Sequence, residues 1–192
     1  MSKGRLEAFS DGVIAILITI MVLELKVPQG SDWASLSHLL PIFLTYVLSF
    51  VIIGIYWNNH HHMLHATTRI NGKILWANNH LLFWLSLVSF TTGWMGENEF
   101  APLPTAVYGV VLFFCGVAYK ILQSLIIADQ GEGSKLADAV GNDLKGKISP
   151  VLYAIAIGLA FVHPGIAAAI YVGVAAMWLV PDRRIESKLT ET

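Results

Sequence analysis

The sequence predicts an all-α, polytopic membrane protein with six transmembrane helices. Three observations predict it. Only 13% of the 192 residues are charged, against about 25% in soluble domains. Hydrophobic residues make up 55% of the chain, and the mean hydropathy is +0.63. The charges also gather between long apolar runs, several of which approach the roughly 20 residues that a helix needs to cross a hydrocarbon core about 30 Å thick. Backbone polar groups can be satisfied in lipid only by helices or closed barrels, and these runs are not the ten-residue alternating segments of a barrel.

The first apolar run covers residues 8–27. A short basic start precedes it and no small-residue cleavage site follows, so it reads as a membrane helix rather than a signal peptide. The second covers 39–57, the third 74–93 and the fourth 106–128. The fifth, 148–162, and the sixth, 165–180, are short and meet at His163-Pro164-Gly165, which also allows a re-entrant hairpin. Residues 129–147 are Gly-rich and charged, a solvated connection. The whole chain, 1–192, reads as a single transmembrane domain without internal repeats.

Lysines and arginines set the orientation. Lys3 and Arg5 precede the first run, Arg69 and Lys73 separate the second and third, and Lys135, Lys145 and Lys147 separate the fourth and fifth. Arg183, Arg184 and Lys188 follow the sixth, and Lys120 lies near the same end of the fourth. Lys26 falls on the opposite side, with Asp32, Glu97 and Glu99. The positive-inside rule then places both termini in the cytoplasm. A net charge of −1 argues against nucleic acid as a partner, and the single Cys115 excludes an intrachain disulfide.

The first helix carries the most information. At 100° per residue, Phe9, Gly12, Ile16, Thr19, Ile20, Leu23 and Val27 fall on one stripe, mostly large and aliphatic. Periodicity alone leaves it open whether that stripe packs on other helices, meets lipid or lines a pathway. Asp11 lies about 140° from Ile16 around the helix, toward neighbouring helices. A carboxylate buried there needs partners, and Arg5, Trp57, Asn59, His60 and Asn78 are the candidates. Ser10 or Asp11 also suits a local role as a helix cap. Glu24 reads either as a negative ring at a pathway mouth or as an interfacial carboxylate near Lys26.

Arg5, Phe9, Ser10, Asp11 and Gly12 form an R-x-x-x-F-S-D-G start that resembles the signature of the transmembrane protein 175 family, lysosomal potassium channels of animals with bacterial relatives. The Trp57-Asn58-Asn59-His60-His61 stretch is similar to the family's W-x-N-H-H pattern, and Trp76 and Asn78 to a further W-x-N. The resemblance implies a potassium-favouring cation channel in a bacterial plasma membrane. It also implies one six-helix unit per chain, a homotetramer, and a pore lined by the first helices without a TVGYG filter. By the same resemblance Ile16 forms the narrowest ring, Thr19 a hydroxyl ring, and Ile20 and Leu23 continue the pathway outward. Potassium ions and the lipid bilayer are then the partners, and no cofactor or metal is expected. Arg5, Phe9, Ser10, Asp11, Gly12, Trp57, Asn59, His60 and Asn78 would make a polar lock that sets the position of the first helix.

His60, His61, His62 and His65 cluster near a membrane boundary, where backbone or side-chain hydrogen bonds account for them better than a metal does. His80 is expected in the core, and Trp33, Trp57, Trp94 and Trp178 near helix ends as an aromatic belt. A secondary transporter or proton-coupled carrier is the competing function. It would need midplane carboxylates or broken helices, whereas Asp11 and Glu24 lie near helix ends. An intramembrane enzyme would need a nucleophile or metal set at midplane depth, and an assembly protein would carry no flux.

Overall fold

The computed structural model describes residues 2–131, 134–141 and 143–179, and the described residues contain helices and no strands. Helix α1 runs Lys3–Met21 and tightens into a 3-10 turn over Val22–Glu24. A short α2, Trp33–Ser37, precedes α3, Leu40–His65, and α4, Gly72–Glu97. Helix α5 covers Pro102–Gln130, α6 Lys135–Val140, α7 Leu144–Ala160 and α8 Pro164–Leu179.

Local chemistry starts these helices. The side chains of Asp32, Asn71, Ser134 and Asp143 each accept a backbone N–H three residues on, the N-cap bond that satisfies an otherwise orphaned donor. Asp32 is held below the usual carboxylate range by its bonds from Ser35. Pro102 and Pro164 occupy first helical positions, where the missing N–H costs nothing.

Two boundaries differ from the sequence reading. Helix α3 continues about two turns past Trp57, through the histidines, so Trp57 lies inside the helix rather than at its end. The polar residues stop the apolar run, but they do not stop the backbone hydrogen bonds. The connection after α5 is not wholly loop, because Ser134 caps the short α6 within it and Asp143 starts α7.

The packing order is α1 on α3 and α4, α4 on α5, α5 on α7, and α7 on α8, with α8 also touching α3 and α5. Close approaches need glycine. A Cβ at Gly96 would stand 2.7 Å from the Cα of Ile42, so α3 and α4 meet backbone to backbone. The Tyr171 hydroxyl stands over Gly109 and donates to the Thr105 carbonyl at 3.0 Å. In the core, the Ser49 hydroxyl lies 2.6 Å from that of Thr92 and 2.9 Å from that of Tyr108, a buried set tying α3, α4 and α5.

Among the described residues, three helices are long and apolar enough to cross a membrane: α1 with its extension (Lys3–Glu24), α3 and α5. Helix α4 has 26 residues but carries Lys73, Asn78, Asn79 and His80. His80 is not a core residue. It is exposed, and its Nε2 accepts the indole N–H of Trp84 at 2.9 Å. Val180, Arg183, Arg184 and Lys188 lie outside the described residues.

Candidate functional site

Helix α1 has two faces. Leu6, Ser10, Ile14, Leu17 and Met21 are buried against α3 and α4. Phe9, Gly12, Ile16, Thr19, Ile20 and Leu23 are exposed, Ile16 at 57% and Leu23 at 73%. No neighbouring heavy atom lies within 4 Å of where a Gly12 Cβ would stand. The predicted stripe is therefore the uncovered face of the single chain. Thr19 donates its hydroxyl proton to the Ile16 carbonyl at 2.9 Å. That bond uses the hydroxyl proton and leaves the oxygen free to accept.

The buried face is pinned by polar bonds. Asn78 of α4 donates from Nδ2 to the Ser10 hydroxyl at 2.9 Å, and its Oδ1 lies 2.7 Å from His60 Nε2 of α3. Oδ1 only accepts, so His60 donates from Nε2. Ser10, His60 and Asn78 are each no more than 1% exposed, so one amide joins three helices with both of its ends satisfied. Ser10 and Asp11 are consecutive and so point about 100° apart. Ser10 thereby reaches α4, while Asp11 accepts the Trp57 indole N–H of α3 at 3.0 Å on a more open side.

Other residues of the motif lie elsewhere. Arg5 is exposed and makes no hydrogen bond or ion pair among the described residues. Phe9 is 54% exposed and belongs to the uncovered stripe. Asn59 is turned about 100° from His60, back-bonds to the Ile55 carbonyl at 2.8 Å, and offers its own carbonyl to Tyr119 of α5. The sequence reading missed two further ties. Lys3 donates to the His65 carbonyl at 2.8 Å, and the Ser89 hydroxyl reaches the Leu17 carbonyl at 3.4 Å.

At the other end of α1, Lys26 pairs with Glu97 of α4 at 2.6 Å, and that carboxylate raises the ammonium's pKa above its ordinary value. Glu24 lies over Gly93, where a Cβ would come within 3.0 Å of its Oε2. Trp57, His61 and His65 stack along α3, with ring centroids 6.0 and 6.2 Å apart. Among the described residues, no three His, Cys, Asp or Glu side chains group as metal ligands.

Residues 5–88, which contain most of α1, all of α3 and the Asn78 half of α4, match the family described as endosomal/lysosomal potassium channel TMEM175. A potassium channel of Chryseobacterium sp. (strain P1-3) is 55% identical over 191 residues, covering all of both chains. A potassium channel of Chamaesiphon minutus is 33% identical over 83% of this chain and 84% of its own. The crystal structure of a lysosomal potassium-selective channel TMEM175 homolog from Chamaesiphon minutus superposes with a TM-score of 0.82 at 29% identity, covering 93% of this chain and 96% of that one.

Proposed function

Because this chain belongs to the TMEM175 potassium channel family, we propose that it is a bacterial potassium-favouring cation channel. Its pore runs between the first helices of four identical subunits in the plasma membrane. The observation that carries the reading is the two-faced α1, with polar bonds fixing one face and an uncovered aliphatic stripe broken by one hydroxyl on the other. The exposed faces of α3 and α7 differ. Over their apolar stretches the exposed side chains, Leu40, Phe43, Val47 and Phe50 of α3 and Val151 and Ile155 of α7, are apolar, as lipid requires, and the exposed polar residues Asn58, His61, His65 and Lys147 lie toward helix ends.

Six passes, with both termini in the cytoplasm, follow from the positive-inside pattern together with the tight turn between α7 and α8. At 17 and 16 residues these two helices reach about 26 and 24 Å, enough for a thin or little-tilted crossing. Four Ile16 side chains would close the axis by dewetting, because an ion in a narrow apolar ring must shed water at a cost of several kcal/mol or more. Ile20 and Leu23 continue the apolar lining. The Ser10–Asn78–His60 bonds, with Asp11–Trp57, set the rotation of α1 and so the direction in which Ile16 points.

Selectivity is assigned to Thr19. Its proton is committed to the Ile16 carbonyl, so four hydroxyl oxygens would remain free to accept at the axis. They partly replace the water of potassium, which dehydrates more readily than sodium. Thr19→Val keeps the shape and removes the oxygens. The potassium-to-sodium permeability ratio, read from bi-ionic reversal potentials, is expected to fall severalfold while current persists. An unchanged ratio would remove Thr19 from selectivity.

A further inference from the structure

Conduction along α1 makes no use of an open groove between α4 and α5. The groove has a volume of about 890 Å³, in the size range of ligand clefts, and is lined by Lys73, Trp76, Ala77 and His80 of α4 with Ile121 and Leu125 of α5. Its direction follows from the helical repeat. Asn78 bonds α1, and Trp76 and His80 each lie about 160° from it around α4. The groove therefore opens away from the proposed pore axis, and Trp76 is 77% exposed in it. One turn beyond His80, Trp84 stacks on Phe114 of α5 with ring centroids 4.5 Å apart, so the two helices close again there.

The polar groups left over in the groove are all donors. At its mouth Asn71 is already engaged, capping Ile74 through Oδ1 and donating from Nδ2 to Asp129. Asp129 is also paired with Arg69. Lys73 is exposed and has no carboxylate partner among the described residues. Arg69 and Lys73 against the one carboxylate of Asp129 leave this corner with a positive charge in excess. The Trp76 indole N–H bonds to no described residue. His80 accepts from Trp84 through Nε2, so the neutral imidazole carries its proton on Nδ1, which also bonds to no described residue. At 1.5 Å per residue, Trp76 and His80 lie about 5 and 10 Å deeper along α4 than Lys73. Hydrocarbon alone offers such donors no acceptor.

We propose that the α4–α5 groove binds one anionic diacyl phospholipid per subunit. A cation at the membrane boundary, N–H donors one and two turns deeper and an aliphatic wall beside them match a lipid's phosphate, ester oxygens and acyl chain in that order. Lys73 pairs with the phosphate, Trp76 and His80 donate to the ester oxygens, and an acyl chain lies on Ala77, Ile121 and Leu125. The positive-inside pattern puts this end of α4 in the cytoplasmic leaflet, where basic pockets between helices hold anionic headgroups. A second copy presenting the same face would set donors and cations against one another. The site goes beyond the channel reading, since it needs membrane insertion and not conduction.

The test counts lipids on the full chain, assembled in detergent, by native mass spectrometry, with phosphatidylglycerol and phosphatidylcholine supplied at equal concentration. Phosphatidylglycerol is expected to be retained over phosphatidylcholine by about fivefold, the factor that one lysine near a headgroup supplies. Lys73→Gln should remove that preference, whereas Lys147→Gln, on α7, should keep it. Ile121→Trp fills the groove and leaves every charge in place, so it should lower retention of both lipids. Lys73 and Ile121 are exposed, so neither change disturbs the core. His80→Leu removes one donor and should weaken both lipids alike, because both carry the ester oxygens. Inorganic phosphate in large excess should displace neither. Equal retention of the two lipids by the parent, or a preference that survives Lys73→Gln, would overturn the anionic site. A preference lost in Lys73→Gln but unmoved by Ile121→Trp, or abolished by inorganic phosphate, would leave a surface charge contact and overturn the groove. Retention unmoved by His80→Leu would remove His80 from the site. An Ile121→Trp protein that dissociates into single subunits would assign the groove to a second copy instead.

Discussion

Ile16→Asn is expected to give a channel that conducts at rest. The substitution keeps similar bulk and places four amides where four aliphatic side chains closed the axis, so water can remain in the constriction. Lowering a barrier by ~1.4 kcal/mol raises a rate tenfold, and rewetting an apolar ring removes at least that much, so basal potassium flux should rise by about tenfold or more. Ile16 is 57% exposed in the single chain, so replacing it removes little packing within the subunit. Assembly should therefore survive, and size-exclusion chromatography checks this beside the flux assay. A well-assembled Ile16→Asn protein with unchanged or abolished flux would place the gate elsewhere.

The second large effect is expected at Asn78. Asn78→Ala removes the amide that joins Ser10 of α1 to His60 of α3 and strands a buried imidazole N–H. Leaving such groups unsatisfied costs about 2–4 kcal/mol. Because the loss falls on the contact that orients α1, thermal unfolding in detergent should drop by several degrees and flux should fall with it. Asn79→Ala is the control, since Asn79 is exposed and adjacent to the same backbone, and it should leave the α1–α4 contact intact. Asp11→Ala breaks only the more open bond to Trp57 and should cost less than Asn78→Ala. Equal melting curves for Asn78→Ala and Asn79→Ala would mean that the Asn78 bonds do not hold α1 in place.

Much of this arrangement is legible from residues alone, for identifiable reasons. A helical repeat separates Ser10 and Leu6 from Ile16 and Leu23 without reference to any other element, so the two faces of α1 are readable in one helix. Which partners the polar face meets is not. By composition Arg5, Trp57, Asn59, His60 and Asn78 are equivalent candidates. The choice among them depends on how α3 and α4 are rotated, and Asn59 and His60 diverge simply because they are consecutive. Hydropathy also ends α3 too early, because Asn58 to His65 are polar but continue the helix. The place of His80 in an apolar run predicts a core residue, yet the helical repeat puts it beside Trp76 on the open face of α4. The Ser49–Thr92–Tyr108 set and the α4–α5 groove join residues from two or more helices, and no spacing within one segment announces them.

Passive potassium conduction underlies every role given to α1. It is tested most directly by potassium flux through the purified, assembled protein in liposomes, with sodium and a large organic cation for comparison. Potassium flux well above an empty-liposome baseline, smaller in sodium and absent for the organic cation, is the expected result. No potassium flux from protein verified as an assembled oligomer, or flux that requires a coupled ion gradient, would contradict it.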